Sequence, residues 1–189
     1  MNRLFLVFIA LLALLPVLPT PEFWITQANY IGLSAIVAIG LVLLTGVGGM
    51  TSFGQAAFVG LGAYATSYLS TALGVSPWLG LLAGVAVSMA VAFILGALTM
   101  RLSGHYLPLG TIAWGLSFFF LFGNMEFLGK FDGISSIPPI ELFGHPLRAG
   151  EDIFYLIWAV VVLAVLATQN LLNSRPGRAI RALKGGVVM

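Results

Sequence analysis

The sequence predicts an all-α fold, a polytopic transmembrane helix bundle of about six spans with both termini cytoplasmic, and three observations carry that expectation. First, 60% of the residues are hydrophobic and only 7% charged, with a mean hydropathy of +1.07. A soluble domain carries roughly a quarter charged residues, so this chain cannot make a water-facing surface. Second, the apolar residues fall in runs long enough to cross a bilayer, for which a helix needs about 20 residues. Third, the few charges sort between alternate connections in a way that orients the runs.

The elements follow in order. Leu4 to Leu18, behind Arg3 and ended by Pro16, Pro19 and Pro21, has the length and flanks of a signal peptide or a short first span. No small-x-small cleavage site follows, which weighs toward a retained anchor helix over a cleaved signal. Ala28 to Thr45, interrupted by Gly32 and Gly40, reads as the second span. Thr45 to Ser52 then breaks the pattern with three glycines and three hydroxyls, backbone that lipid cannot satisfy. Phe53 to Thr71 is a third span carrying Gln55, Tyr64, Thr66 and Ser67, and Gly74 to Pro77 supplies a turn.

Trp78 to Met100 runs without a charge until Arg101 and is the fourth span. Within it Gly80, Gly84, Ser88, Ala92 and Gly96 recur every four residues, a pattern that lets another backbone approach closely and reads as helix packing. Leu107 to Phe122 is a shorter fifth span, tilted or partly re-entrant, with Pro108 placed early where a missing donor costs least. Gly123 to Asp152 is the long polar stretch, expected as an external loop. Ile153 to Leu172 is the sixth span, so residues 1–172 form a membrane region and 173–189 a basic cytoplasmic segment.

Six of the eight basic residues, Arg3, Arg101, Arg175, Arg178, Arg181 and Lys184, fall on one side of this arrangement, which is therefore the cytoplasm. Glu22, Glu126, Asp132, Glu141, Glu151 and Asp152 fall on the other side with Lys130 and Arg148. Acids contribute little to orientation, so the arginines carry the assignment.

Several classes of function are disfavoured. Net charge is only +2 and the basic residues are not interleaved with stacking aromatics, so no nucleic acid is expected as a partner. No ionisable group lies inside a predicted span, which argues against a proton-coupled carrier. His105 and His145 lack accompanying carboxylates at ligand spacing, so no metal site is expected. With no cysteine, disulfide and thiolate chemistry are out. There is no nucleophile elbow, no paired carboxylates and no phosphate-cradling loop with a following Lys-Ser or Lys-Thr, so the chain is neither an enzyme nor itself an ATPase, and no catalytic residue or cofactor is expected.

Two segments are functional candidates. Thr45 to Gln55 offers Thr45, Thr51, Ser52 and Gln55 as hydrogen-bonding groups for a zwitterionic substrate, or else is a tight cytoplasmic glycine turn. Arg175-Pro-Gly-Arg-Ala-Ile-Arg-Ala-Leu-Lys184 reads as a short amphipathic helix begun by Pro176, with Ala179, Ile180 and Leu183 beside Arg178 and Arg181. Anchoring to anionic membrane lipid explains it as well as a protein partner does.

The residues also resemble a family, the M-type (LivM-type) permease subunits of branched-chain amino acid ABC transporters. The resemblance covers about Gly32 to Lys184. It rests on four blocks in order: Gly49-Met-Thr-Ser-Phe-Gly-Gln-Ala-Ala-Phe58 leading into Gly60-Leu-Gly-Ala-Tyr64, Arg101-Leu-Ser-Gly-His-Tyr106, Asp132-Gly-Ile-Ser-Ser-Ile-Pro138, and Ser174 to Leu183. It implies an importer of leucine, isoleucine, valine or related amino acids, fed by a periplasmic amino-acid-binding protein. A second permease subunit and two cytoplasmic ATPase subunits, which hydrolyse the ATP, complete it in the bacterial inner membrane. It also implies that Arg175, Gly177, Arg178 and Arg181 belong to a coupling loop at the ATPase contact, and it turns the lipid anchor into a coupling element. Similar permeases continue through further membrane helices where Gly185 to Met189 ends this sequence, so the chain reads as truncated within the coupling loop. A passage for an aliphatic amino acid needs apolar walls with a few hydroxyl or amide groups, and Thr45, Ser52, Gln55 and Tyr64 are the candidates for it. The same permease type serving urea, amides or other amino acids, and an ATP-independent channel or carrier, are the alternatives.

Overall fold

The computed structural model describes residues 9, 11–19, 21–99, 106–142, 144–147 and 150–183. Expectations resting on Arg3, Arg101, His105, Arg148, Lys184 and residues 185–189 lie outside the described residues. Among the described residues a short helical stretch over 11–14 comes first, and six further helices follow: α1 (Glu22–Leu41), α2 (Gln55–Ala72), α3 (Pro77–Thr99), α4 (Tyr106–Asn124), α5 (Gly150–Asn173) and α6 (Arg175–Leu183). A π-helical turn, Val42–Val47, extends α1, and a short 3-10 turn, Leu15–Val17, precedes it. A two-residue antiparallel hairpin, β1 (Glu141–Leu142) and β2 (His145–Pro146), interrupts the loop before α5.

Among the described residues four segments are long and apolar enough to cross a membrane: Glu22–Val47, Pro77–Thr99, Tyr106–Asn124 and Gly150–Asn173. Their side chains point mostly outward, with Phe93 81% and Met89 65% exposed. Such a surface would aggregate in water and is at home among lipid tails, where only helices with internally satisfied backbones are stable. The all-α, multi-pass membrane fold predicted from sequence is therefore the fold observed. α2, expected as the third span, is helical for 18 residues but is not one of the four, because Gln55, Thr66, Ser67, Ser70 and Thr71 dilute its apolar residues. Of the expected first span, only residues 9 and 11–18 are described.

The chain divides into two compact units. One consists of the residues up to Gly40 together with Leu147–Arg178. Here α1 and α5 pack through side chains: Ile25, Ala28 and Phe154 form a buried cluster flanked by Leu12, Leu15 and Trp158. Gly32 admits Ile157 and Trp158 so closely that a Cβ on it would lie 2.6 Å from Ile157 Cγ2. Asn29 Nδ2 donates to the Gly150 carbonyl at 2.9 Å, fixing the start of α5. That start corrects the expected loop boundary at Asp152. Glu151 and Asp152 are already helical, in the first turn where the helix dipole favours carboxylates.

The other unit consists of Leu41–Pro146 and the residues from Ala179 on. In it α2 and α3 run antiparallel in near backbone contact. A Cβ on Gly84 would lie 2.7 Å from both the Gly62 carbonyl oxygen and Thr66 Oγ1, and one on Gly80 would meet Ser70 Oγ at 3.1 Å. The Thr66 hydroxyl lies 2.8 Å from the carbonyl of Gly62 in its own helix and 3.1 Å from that of Gly80 across the interface. Ser88 Oγ donates to the Phe58 carbonyl at 3.3 Å. The predicted stripe thus splits. Gly80, Gly84 and Ser88 meet α2, whereas Ala92 is exposed and a Cβ on Gly96 would meet nothing within 4 Å. Residues four apart turn through about 400°, so each step drifts about 40° around the helix. Five such residues cannot all face one straight neighbour.

Between α4 and the hairpin the chain is tightly folded. Two 3-10 turns, Glu126–Leu128 and Lys130–Asp132, are joined by Gly129 at φ +78° and closed by Gly133 at φ +73°. A Cβ on Gly129 would collide with the Gly133 carbonyl, so both left-handed geometry and crowding demand glycine there. The Phe131 ring covers Gly123 at the end of α4, and Trp78 Nε1 donates to the Glu141 carbonyl at 2.7 Å.

Candidate functional site

The glycine-rich segment after α1 is stitched to its surroundings by backbone. Gly48 N–H donates to Leu43 O at 2.9 Å and Met50 N–H to Leu44 O at 3.1 Å, and Gly49 turns the chain at φ +70°. Thr45 lies in the π-helical turn, and its hydroxyl donates to the Leu41 carbonyl at 2.7 Å. Ser52 Oγ accepts from Gly54 N–H at 3.4 Å. Phe53 N–H donates to Thr111 Oγ1 at 3.1 Å, while the Thr111 hydroxyl donates to the Pro108 carbonyl at 2.9 Å. Thr111 therefore pins the segment to the first turns of α4, a role with no signal in the sequence beyond a hydroxyl three residues after a helix-starting proline. Gln55, half-buried, opens α2.

Tyr64 lies elsewhere. Nine residues along α2 separate it from Gln55, about 13 Å of helix rise. Its ring stacks on Phe122 with centroids 4.9 Å apart, and Tyr68 meets Phe127 edge-on at 5.4 Å. These four rings, with Leu61 and Val87, line a cleft of about 170 Å³. Gly60 lets Phe122 come this close, since a Cβ there would lie 2.8 Å from the ring. Thus Thr45, Ser52 and Gln55 belong to the segment around the start of α2 while Tyr64 belongs to an aromatic cleft farther along it. The four do not converge on one point. Tyr68, Phe122 and Phe127 were not singled out in the sequence, where aromatic residues are too frequent for any three to stand out.

The basic segment forms α6, separated from α5 by Ser174 alone. Ser174 Oγ accepts from Gly177 N–H at 3.4 Å, capping the helix start. Arg175, Arg178 and Arg181 are exposed along α6, whereas Gly177 is buried. Among the described residues no group of His, Asp and Glu is placed to hold a metal ion. His145 sits in β2, exposed.

Comparison with known proteins agrees with this architecture. The permease protein LivM of the high-affinity branched-chain amino acid transport system of Salmonella typhimurium (strain LT2) is 33% identical across 79% of this chain, and that of Escherichia coli (strain K12) is 30% identical across the same share. The chain spans 41% of the length of each of these relatives. No solved structure matches it. A family model described as the branched-chain amino acid transport system permease component matches residues 22–186, which takes in α1 to α6 with every loop between them, and the chain belongs to that family.

Proposed function

We propose that the chain acts within a permease subunit of an ABC importer that carries leucine, isoleucine and valine across the bacterial inner membrane. The observation that carries this reading is the family match over residues 22–186, in a chain whose described residues include four helices long and apolar enough to cross a membrane and a basic helix directly after the last of them. The partners are a second permease subunit, two cytoplasmic ATPase subunits that hydrolyse the ATP, a periplasmic amino-acid-binding protein and the surrounding lipid. The chain moves its substrate without making or breaking bonds. Arginine sorting supports six spans, both termini in the cytosol, a membrane region over residues 1–172 and a coupling segment from 173 on.

Transport proceeds by alternating access: packed helices rock about a central passage when the ATPases close. In this reading Arg175, Arg178 and Arg181 face the ATPases, and their exposure fits that use. Tyr64 contributes apolar wall and a phenol to the passage. Ser52 and Gln55 offer hydroxyl and amide groups to the charged ends of the substrate. Thr45, whose proton is already given to Leu41, can still accept a hydrogen bond.

The test is uptake of labelled leucine by the complete complex in proteoliposomes, with ATP inside and the binding protein outside. Unlabelled isoleucine and valine are expected to compete. Uptake of labelled urea or a short amide with none of labelled leucine would reassign the substrate, and uptake without the ATPases would make the protein a channel or carrier. Reversing the charges of Arg178 and Arg181 is expected to leave ATP hydrolysis running while uptake falls; full leucine uptake would remove these arginines from coupling.

A further inference from the structure

Gly177 is buried although it lies in a short helix rich in exposed arginines, and the reason is a backbone contact. A Cβ built on it would fall on the Leu171 carbonyl oxygen and lie 2.6 Å from Leu172 Cα and 2.7 Å from the Leu172 carbonyl oxygen. All three are main-chain atoms of the last turn of α5, so no change of rotamer could make room. The joint is short and doubly fastened. Ser174 is its only residue, its hydroxyl donates to the Leu171 carbonyl, its carbonyl accepts from Arg178 N–H at 3.2 Å, and its Oγ accepts from Gly177 N–H. Pro176, the second residue of α6, has φ fixed by its ring and no N–H to lose in the first turn.

We infer that Gly177 is a positioning residue of energy coupling: by letting α6 lie against the backbone of α5, it sets the angle of the elbow and makes it stiff. It touches neither substrate nor nucleotide, and its burial excludes it from the contact surface the arginines offer. A stiff elbow passes a tilt of α6 to the last span, while a propped or slack one absorbs it. This rests on the reading of α6 as the ATPase contact.

The experiment uses Gly177→Ala in the complete complex. Leucine taken up per ATP hydrolysed is expected to fall at least tenfold, while co-purification with the ATPase subunits and basal hydrolysis persist. An unchanged ratio overturns the inference. The chain has no cysteine, so Leu163→Cys and Ala182→Cys place one spin label on α5 and one on α6. The distance between them is expected to shift and broaden in Gly177→Ala. This can be read in detergent even if the variant fails to assemble, and an unchanged distribution likewise overturns the inference. Should the unsubstituted complex take up no leucine, the transport reading fails, and the spin-label distances still decide whether Gly177 sets the elbow.

Discussion

The two helix pairs, α1 with α5 and α2 with α3, solve the same problem with opposite materials. α1 and α5 are each apolar enough to lie in lipid alone, and they meet through interlocked side chains around Phe154, which is 1% exposed. α2 is more polar, and its seam with α3 is made of main chain and hydroxyls: the Thr66 hydroxyl reaches the Gly80 carbonyl, Ser88 of α3 donates to the Phe58 carbonyl, and Ser70 is buried beside Gly80. Lipid tails are as apolar as leucine, so helices in a membrane associate by close packing and hydrogen bonds and gain little from burying apolar surface. The comparison teaches that a glycine-faced partner lets a more polar helix approach until hydroxyls meet carbonyls across the seam, as Thr66 does at Gly80 and Ser88 at Phe58.

Breaking the backbone contact should cost most. Gly84→Leu forces α2 away from α3, with an expected loss of about 3 kcal/mol or more, the upper range for overpacking, measured by reversible unfolding in detergent. Phe154→Ala attacks the other pair and should cost less here than the 3–5 kcal/mol typical of soluble cores, about 2 kcal/mol, because lipid removes most of the transfer contribution and leaves the cavity. A Phe154→Ala loss exceeding that of Gly84→Leu in the same assay would reverse the comparison. Thr66→Val keeps the shape and deletes the interhelical hydrogen bond, for about 0.6 kcal/mol, whereas Thr66→Ser should stay close to the unsubstituted protein. Gly96→Ala meets open space and should change stability by less than about 0.5 kcal/mol, with any gain coming from helix propensity. A large loss there would mean that the stripe is used along its whole length.

Much of this was legible in the sequence because lipid imposes length and polarity on each helix separately. α1, α3, α4 and α5 could be read from run length, and their observed bounds lie within a few residues of the expected ones except at the start of α1, which begins six residues earlier, at Glu22. The glycine stripe was legible as packing, but a repeat of four conceals the drift that takes Ala92 and Gly96 off the interface. The passage residues were read from local chemistry, and convergence is a property of tertiary structure. Nothing near Tyr64 in the sequence announces Phe122 or Phe127, and nothing near Phe53 announces Thr111. Gly177 was read as part of a motif. Its crowding against Leu171 and Leu172 emerges only when the one-residue joint folds α6 back.

The indole of Trp78, second residue of α3, holds the carbonyl of Glu141 where the hairpin begins. The hairpin is thereby a handle on that helix: a tug on β1 arrives at the first turn of α3, two residues before Gly80, which with Gly84 grips α2. A protein that seized the loop at its tip would be pulling on the most tightly sealed seam of this unit, by a rope only one hydrogen bond long.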